Sequence, residues 1–183
     1  ARPIWGKPAL MSFDETLTFC HEFGHALHGL FKKSEYLGTH VATDFVELPS
    51  QIMENWAAHP EVLKTYAKHY QTGEVIPDEL IAKLEAASKF NQGFVTVEYT
   101  AASILDMDYH TLTDASGLNA NAFEEASMKQ IGLIDEIIQR YKSNYFQHIF
   151  AGGSSAGHYI YMWSEVLDKV AFQAFLATRS LNL

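Results

Sequence analysis

Residues 12–31 constrain this chain more than any other stretch. Ser12 and Glu15 form an S-x-x-E pair, in which each side chain satisfies the other residue's backbone N–H at a helix start. Asp14 and Glu15 put negative charge in the first turn, where the helix dipole favours it. Beyond them Phe13, Leu17, Cys20, Phe23, Leu27, Leu30 and Phe31 recur at spacings of three and four, with one adjacent pair. That period predicts an amphipathic helix over 13–32. His21-Glu22-Phe23-Gly24-His25 stands in its middle.

On a helix, residues four apart differ by about 40° in direction and about 6 Å in height. Two imidazoles so placed can grip one metal ion, and the Glu22 carboxylate beside them can reach a metal-bound water. Zinc lowers the pKa of such a water toward ~7 and polarises a carbonyl, while the carboxylate takes the proton. Peptide hydrolysis needs those parts. The competing reading is a plain helix with two solvated or core histidines. A tetrahedral site with one open position requires a third protein ligand. His28, His40, Asp44, Glu47 and Glu54 are the candidates downstream. His28 stands about 10 Å above His21 along the helix, too far to close a compact site. Glu47 lies in the next helical stretch, and Glu54 follows one heptad later. Spacing does not choose between them. Asp44 and Glu54 are also the candidates to orient a ligand imidazole from behind.

The rest of the chain reads as helix too. Helices are expected near 45–58, where Pro49 disturbs the first turns, and at 60–71 behind Pro60. Others are expected at 77–90, 93–113, 121–131, 134–142 and 158–177. A short strand has room only near 37–43, and no alternating pattern or internal repeat is present. Residues 152–157 (GGSSAG) are the strongest breaker. Two uses for them are open: a mobile loop that adapts to peptide, or a simple turn. Tyr159 and Tyr161 would point about 160° apart on a regular helix, so only one of them could face a metal.

Composition narrows the class. At 183 residues, 48% hydrophobic and 13% aromatic, the chain can bury a core and is not disordered. It has no unbroken apolar run near 18 residues, so no membrane helix is expected. The single cysteine, Cys20, forms no internal disulfide and reads as a core thiol. A net charge of −9 argues against a nucleic-acid partner or a polybasic membrane anchor. The start, Ala1-Arg2-Pro3, has no initiator Met and no signal-peptide apolar region, so a fragment or processed product is expected. The expected compartment is the cytoplasm, with the periplasm as the alternative.

HEFGHALHGLF at 21–31, GTH at 38–40, DFVELPSQIMENW at 44–56 and the Gly-rich turn before HYIYMW at 158–163 together resemble the thimet oligopeptidase family of zinc peptidases. The likeness covers almost the whole chain and keeps the family's order. It implies a mainly α, zincin-like catalytic domain over 1–183, truncated at both ends. It implies one zinc ion held by His21, His25 and Glu47, with Glu22 as general base. Tyr161 matches the family's transition-state tyrosine, and His148 a histidine that faces substrate. Gly152, Gly153, Ser154 and Tyr159 fall in the substrate-binding loop. The chain departs from the family in three places. Ser154 stands where members carry Tyr, His158 stands at a second aromatic position, and the loop before Gly38 is shorter.

The resemblance implies hydrolysis of short peptides by release of C-terminal dipeptides, carried out by a monomer when whole. Internal cleavage is the first alternative. A helical metal-binding module that has lost turnover is the second.

Overall fold

The computed structural model describes Gly6, residues 8–36 and residues 41–178. It contains α1 (Phe13–Phe31), α2 (Leu48–Ala58), α3 (Pro60–Tyr66), α4 (Asp78–Ser88), α5 (Gln92–His110), α6 (Ala120–Gln130), α7 (Gln147–Phe150) and α8 (Ile160–Ala177). A 3-10 turn occupies Ser143–Tyr145. Among the described residues there is no strand, only an isolated bridge between Lys68 and Val75. The mainly α expectation holds. Residues 37–40, with His40 and most of the expected strand, lie outside the described residues. No described helix is long and apolar enough to cross a membrane.

The chain divides into two compact units, Ala1–Ala86 with Met162–Leu183, and Ala87–Tyr161. In the first, α1 opens as the capping pattern predicts. Ser12 N donates to Glu15 Oε2 at 2.8 Å, and Glu15 N donates to Ser12 Oγ at 3.1 Å. The second helix starts at Leu48 rather than near 45, behind a turn in which Leu48 N donates to Phe45 O at 3.1 Å. Pro49 explains the delay, since its ring would strike the Phe45 carbonyl if the helix began earlier. The third helix starts at Pro60 as expected but stops at Tyr66. The chain then folds back through Gly73, at φ +74°, and His69 N donates to Glu74 O at 2.8 Å.

The expected apolar stripe of α1 is only partly covered, with Phe13, Leu17, Cys20 and Leu27 half-buried. Phe23, Leu30 and Phe31 are exposed, and Gly24 is the helix's buried residue. In the first unit's part of α8, Ser164 and Asp168 are buried while Trp163, Val166 and Val170 are exposed. Asn55 Nδ2 donates to Asp168 Oδ1 at 2.9 Å, and the Trp56 ring meets Phe172 edge-on at 4.9 Å.

In the second unit, Ala101 and Leu105 of α5 pack on Met128 of α6. Ala102, one residue round the helix, packs on Phe146 and Ile149. The helix expected at 134–142 does not form. Ile137 and Gln139 are buried and Ile138 is exposed, an alternation of two rather than 3.6. Gln139 Nε2 donates to Ala101 O at 3.4 Å and to Met128 sulfur at 3.0 Å, which anchors this irregular segment of turns and bends. The buried Glu124 carboxylate accepts Ser143 N at 2.8 Å, Ser143 Oγ at 2.7 Å and Lys142 Nζ at 2.7 Å.

Candidate metal centre

Gly24 sets the geometry of the centre. A Cβ at this position would lie 2.5 Å from Pro49 O and 2.6 Å from Ser50 Cα. Only the missing side chain lets the start of α2 rest on α1 between the two histidines. Elsewhere on a helix, Gly→Ala adds stability of up to ~1 kcal/mol. Here the sign reverses. Gly24→Ala is expected to cost about 1–3 kcal/mol through overpacking and to lower metal retention by moving Glu47. Thermal melts and metal content check this, and parent values for both would sink it.

That contact carries Glu47 to the histidines. Glu47 is the N-cap of α2, with φ −87° and ψ −9°. Ser50 Oγ, with one proton to give, lies 2.8 Å from its Oε2 and 2.9 Å from its carbonyl oxygen. Oε2 thereby stands 3.3 Å from His21 Nε2 and 3.2 Å from His25 Nε2. The two rings are nearly perpendicular, with centroids 4.9 Å apart. Behind them, His21 Nδ1 lies 2.6 Å from Glu54 Oε1. A proton on Nδ1 toward that carboxylate leaves the Nε2 lone pair turned to Glu47 and His25.

This donor set fits zinc. Ligands at ~2.1 Å on a tetrahedral ion stand roughly 3.4 Å from one another. The two histidine–carboxylate separations match, and all three ligand atoms lie within 4.8 Å of each other. The electrostatics agree. With protons alone, His21 is pushed up to about 10, first by its hydrogen bond to Glu47 and then by that to Glu54. Burial pushes the Glu47 carboxyl up, but His21, Ser50 and the charge of His25 outweigh it and hold it below its ordinary value. Both shifts describe a place that stabilises a cation.

Glu22 is exposed and outside the three-residue group. It lines an open cleft with Asp14, Leu17, Thr18, His21 and Glu54. Of the two carboxylates proposed to orient a histidine, Glu54 makes the contact with His21, while Asp44 is exposed. His28 turns to Phe45, with ring centroids 6.2 Å apart. Burial pushes the Cys20 thiol up, which suits a packing role.

The remaining expected site residues belong to the second unit. His148 is exposed, and its ring lies 6.0 Å from that of His158. Gly152 is required sterically, because a Cβ there would lie 2.8 Å from His148 O. Ser154 N donates to that same carbonyl at 3.2 Å, and Ser155 Oγ donates to Ile149 O at 2.6 Å. Residues 154–158 thus form a hydrogen-bonded set of turns. Tyr159 precedes α8, which starts at Ile160 rather than 158, so the regular-helix angle between Tyr159 and Tyr161 does not apply. Sequence reading missed Ser50, the residue that aims Glu47. Its spacing of three residues from Glu47 was the available signal.

All 183 residues match the profile of peptidase family M3. The chain is 43% identical to the dipeptidyl carboxypeptidase of Escherichia coli (strain K12), over 99% of its own length and 27% of that protein. It is 41% identical to the probable cytosolic oligopeptidase A of Arabidopsis thaliana, over 94% of this chain and 25% of that one. It is 37% identical to oligopeptidase A of Escherichia coli (strain K12), over 95% of this chain and 26% of that one. The chain spans about a quarter of the length of these relatives.

Proposed function

The chain belongs to peptidase family M3, and from that premise we propose that it carries the metal-binding and general-base groups of a zinc-dependent hydrolase of short peptides. The convergence of His21, His25 and Glu47 on one point, with Glu22 beside it but outside the group, is the observation that carries this reading. When bound, zinc supplies Lewis acidity and an acidified water. His21, His25 and Glu47 hold the ion, and Glu54 fixes the His21 tautomer. Glu22 takes the proton of the attacking water and passes it to the leaving amine. Tyr161 donates to the developing oxyanion. His148, Gly152, Gly153, Ser154 and Tyr159 contact the peptide.

The proposed outcome is release of C-terminal dipeptides, as the name of the 43%-identical relative suggests. The test is metal analysis together with mass spectrometry of the products from unblocked and C-terminally amidated oligopeptides. One zinc per chain, chelator-sensitive cleavage and successive loss of dipeptides are expected. Cleavage that ignores the chelator overturns the reading. Internal cuts in the amidated peptides would point to the endopeptidase alternative. Zinc without cleavage would point to a module that has lost turnover, the reading that Ser154 and His158 favour.

A further inference from the structure

Asp106 is fully buried in the second unit, and no role proposed above uses it. It lies on α5 two turns after Tyr99 and one turn before His110, so the three share a face. Its carboxylate reaches the segment that leads into α8. Oδ1 accepts the backbone N–H of Ala156 at 2.9 Å, and Oδ2 accepts that of His158 at 2.8 Å. His110 Nδ1 stands 2.8 Å from the same Oδ1. The Tyr99 hydroxyl donates to the His158 carbonyl. Both backbone polar groups of His158 are therefore held by α5.

The held backbone is not one the chain would adopt freely. Ala156 has φ +54°, a left-handed conformation uncommon for a residue with a Cβ. The His158 ring is buried, stacked on Tyr99 at 4.9 Å and edge-on to Phe146 at 5.0 Å. Neither of its ring nitrogens has a hydrogen-bond partner among the described residues. Burial, followed by the charge of His148, pushes this imidazole down to about 4, so it packs as a neutral wedge. Its other neighbour is Tyr161, with ring centroids 6.0 Å apart. A buried carboxylate is costly unless its oxygens are satisfied, and these are satisfied by the turn backbone and by His110.

We infer that Asp106 is a positioning residue. By gripping the Ala156 and His158 N–H groups it fixes the turns that carry Tyr159 and lead into the first turn of α8, where Tyr161 stands. This rests on the proposed role of Tyr161 as oxyanion donor. An Asn in its place keeps the shape but offers one acceptor oxygen and one NH2, so one of the two backbone N–H groups loses its partner.

The test is a double-mutant cycle of Asp106→Asn and Tyr161→Phe in a form of the protein that cleaves peptides, reading kcat, KM and zinc content. Asp106→Asn is expected to lower kcat roughly 10–100-fold with KM within about 3-fold and zinc unchanged. On top of Tyr161→Phe it should add less than about 3-fold, because both changes remove the same donor. Should Asp106→Asn fail to fold, Tyr99→Phe takes its place in the cycle, with the same non-additivity expected. Fully multiplicative effects overturn the inference, as does an Asp106→Asn enzyme with parent kcat. Loss of zinc in step with kcat also overturns it, by showing a general structural defect. A Tyr161→Phe enzyme with parent kcat fails differently: it removes the proposed role of Tyr161, and this inference goes with it.

Discussion

Glu22→Gln is expected to keep the metal and lose turnover. The three groups that converge are His21, His25 and Glu47, and Glu22 is not among them. It is exposed at the cleft beside His21, where water and peptide have access. Gln has the same length and shape but cannot accept a proton from water at neutral pH. General-base catalysis contributes about 10²–10⁴-fold, so kcat should fall by at least that order while zinc stays at one per chain. Glu47→Gln gives the contrast. It weakens an anionic ligand and should lower the zinc content itself. Exchange of the two phenotypes, with Glu22→Gln losing zinc and Glu47→Gln retaining it, would show the roles to be reversed. Near-parent turnover in Glu22→Gln would remove the base from the mechanism.

The first helix and its motif were legible because their determinants are local. The Ser12–Glu15 pair, the spacing of three and four, and the two histidines one turn apart all lie within a single helix. The choice of third ligand was not legible from spacing. Glu47 and Glu54 lie on one helical stretch, and what separates them is tertiary. Gly24 admits Pro49 and Ser50, so Glu47 faces the Nε2 atoms of both histidines while Glu54 reaches His21 Nδ1 from the other side. Family resemblance supplied that assignment where periodicity left it open.

The misread segment at 134–142 failed for a related reason. Ile134, Ile137 and Ile138 mimic a helical stripe, yet the burial of Ile137 and Gln139 belongs to an irregular, turn-containing segment anchored by Met128 and Ala101. Asp106 and His110 stand four apart on α5, a pattern visible in the sequence. The partners that give it meaning, Ala156 and His158, are about fifty residues away in the chain.

Tyr161→Phe is the second large expected effect. The change removes one hydroxyl and leaves the ring, so the packing against Tyr99 and His158, with centroids 6.0 Å away in each case, survives. Loss of an oxyanion donor costs about 10²–10³ in kcat, or ~2.7–4 kcal/mol. KM should change far less, because the bond forms only as charge develops on the carbonyl oxygen. Ser154 is the rival, since the resemblance to the family leads one to expect a tyrosine at its place. Its side chain is shorter by a whole ring. Its backbone is committed at both ends, with N donating to His148 O at 3.2 Å and its carbonyl accepting Gly157 N at 2.9 Å. Ser154→Ala should therefore leave kcat within about 3-fold of the parent. The reverse pattern, with full kcat in Tyr161→Phe and none in Ser154→Ala, would show that the small hydroxyl has taken over the donor role. The proposed catalytic apparatus would then fail at a position where the resemblance already led one to expect a different residue.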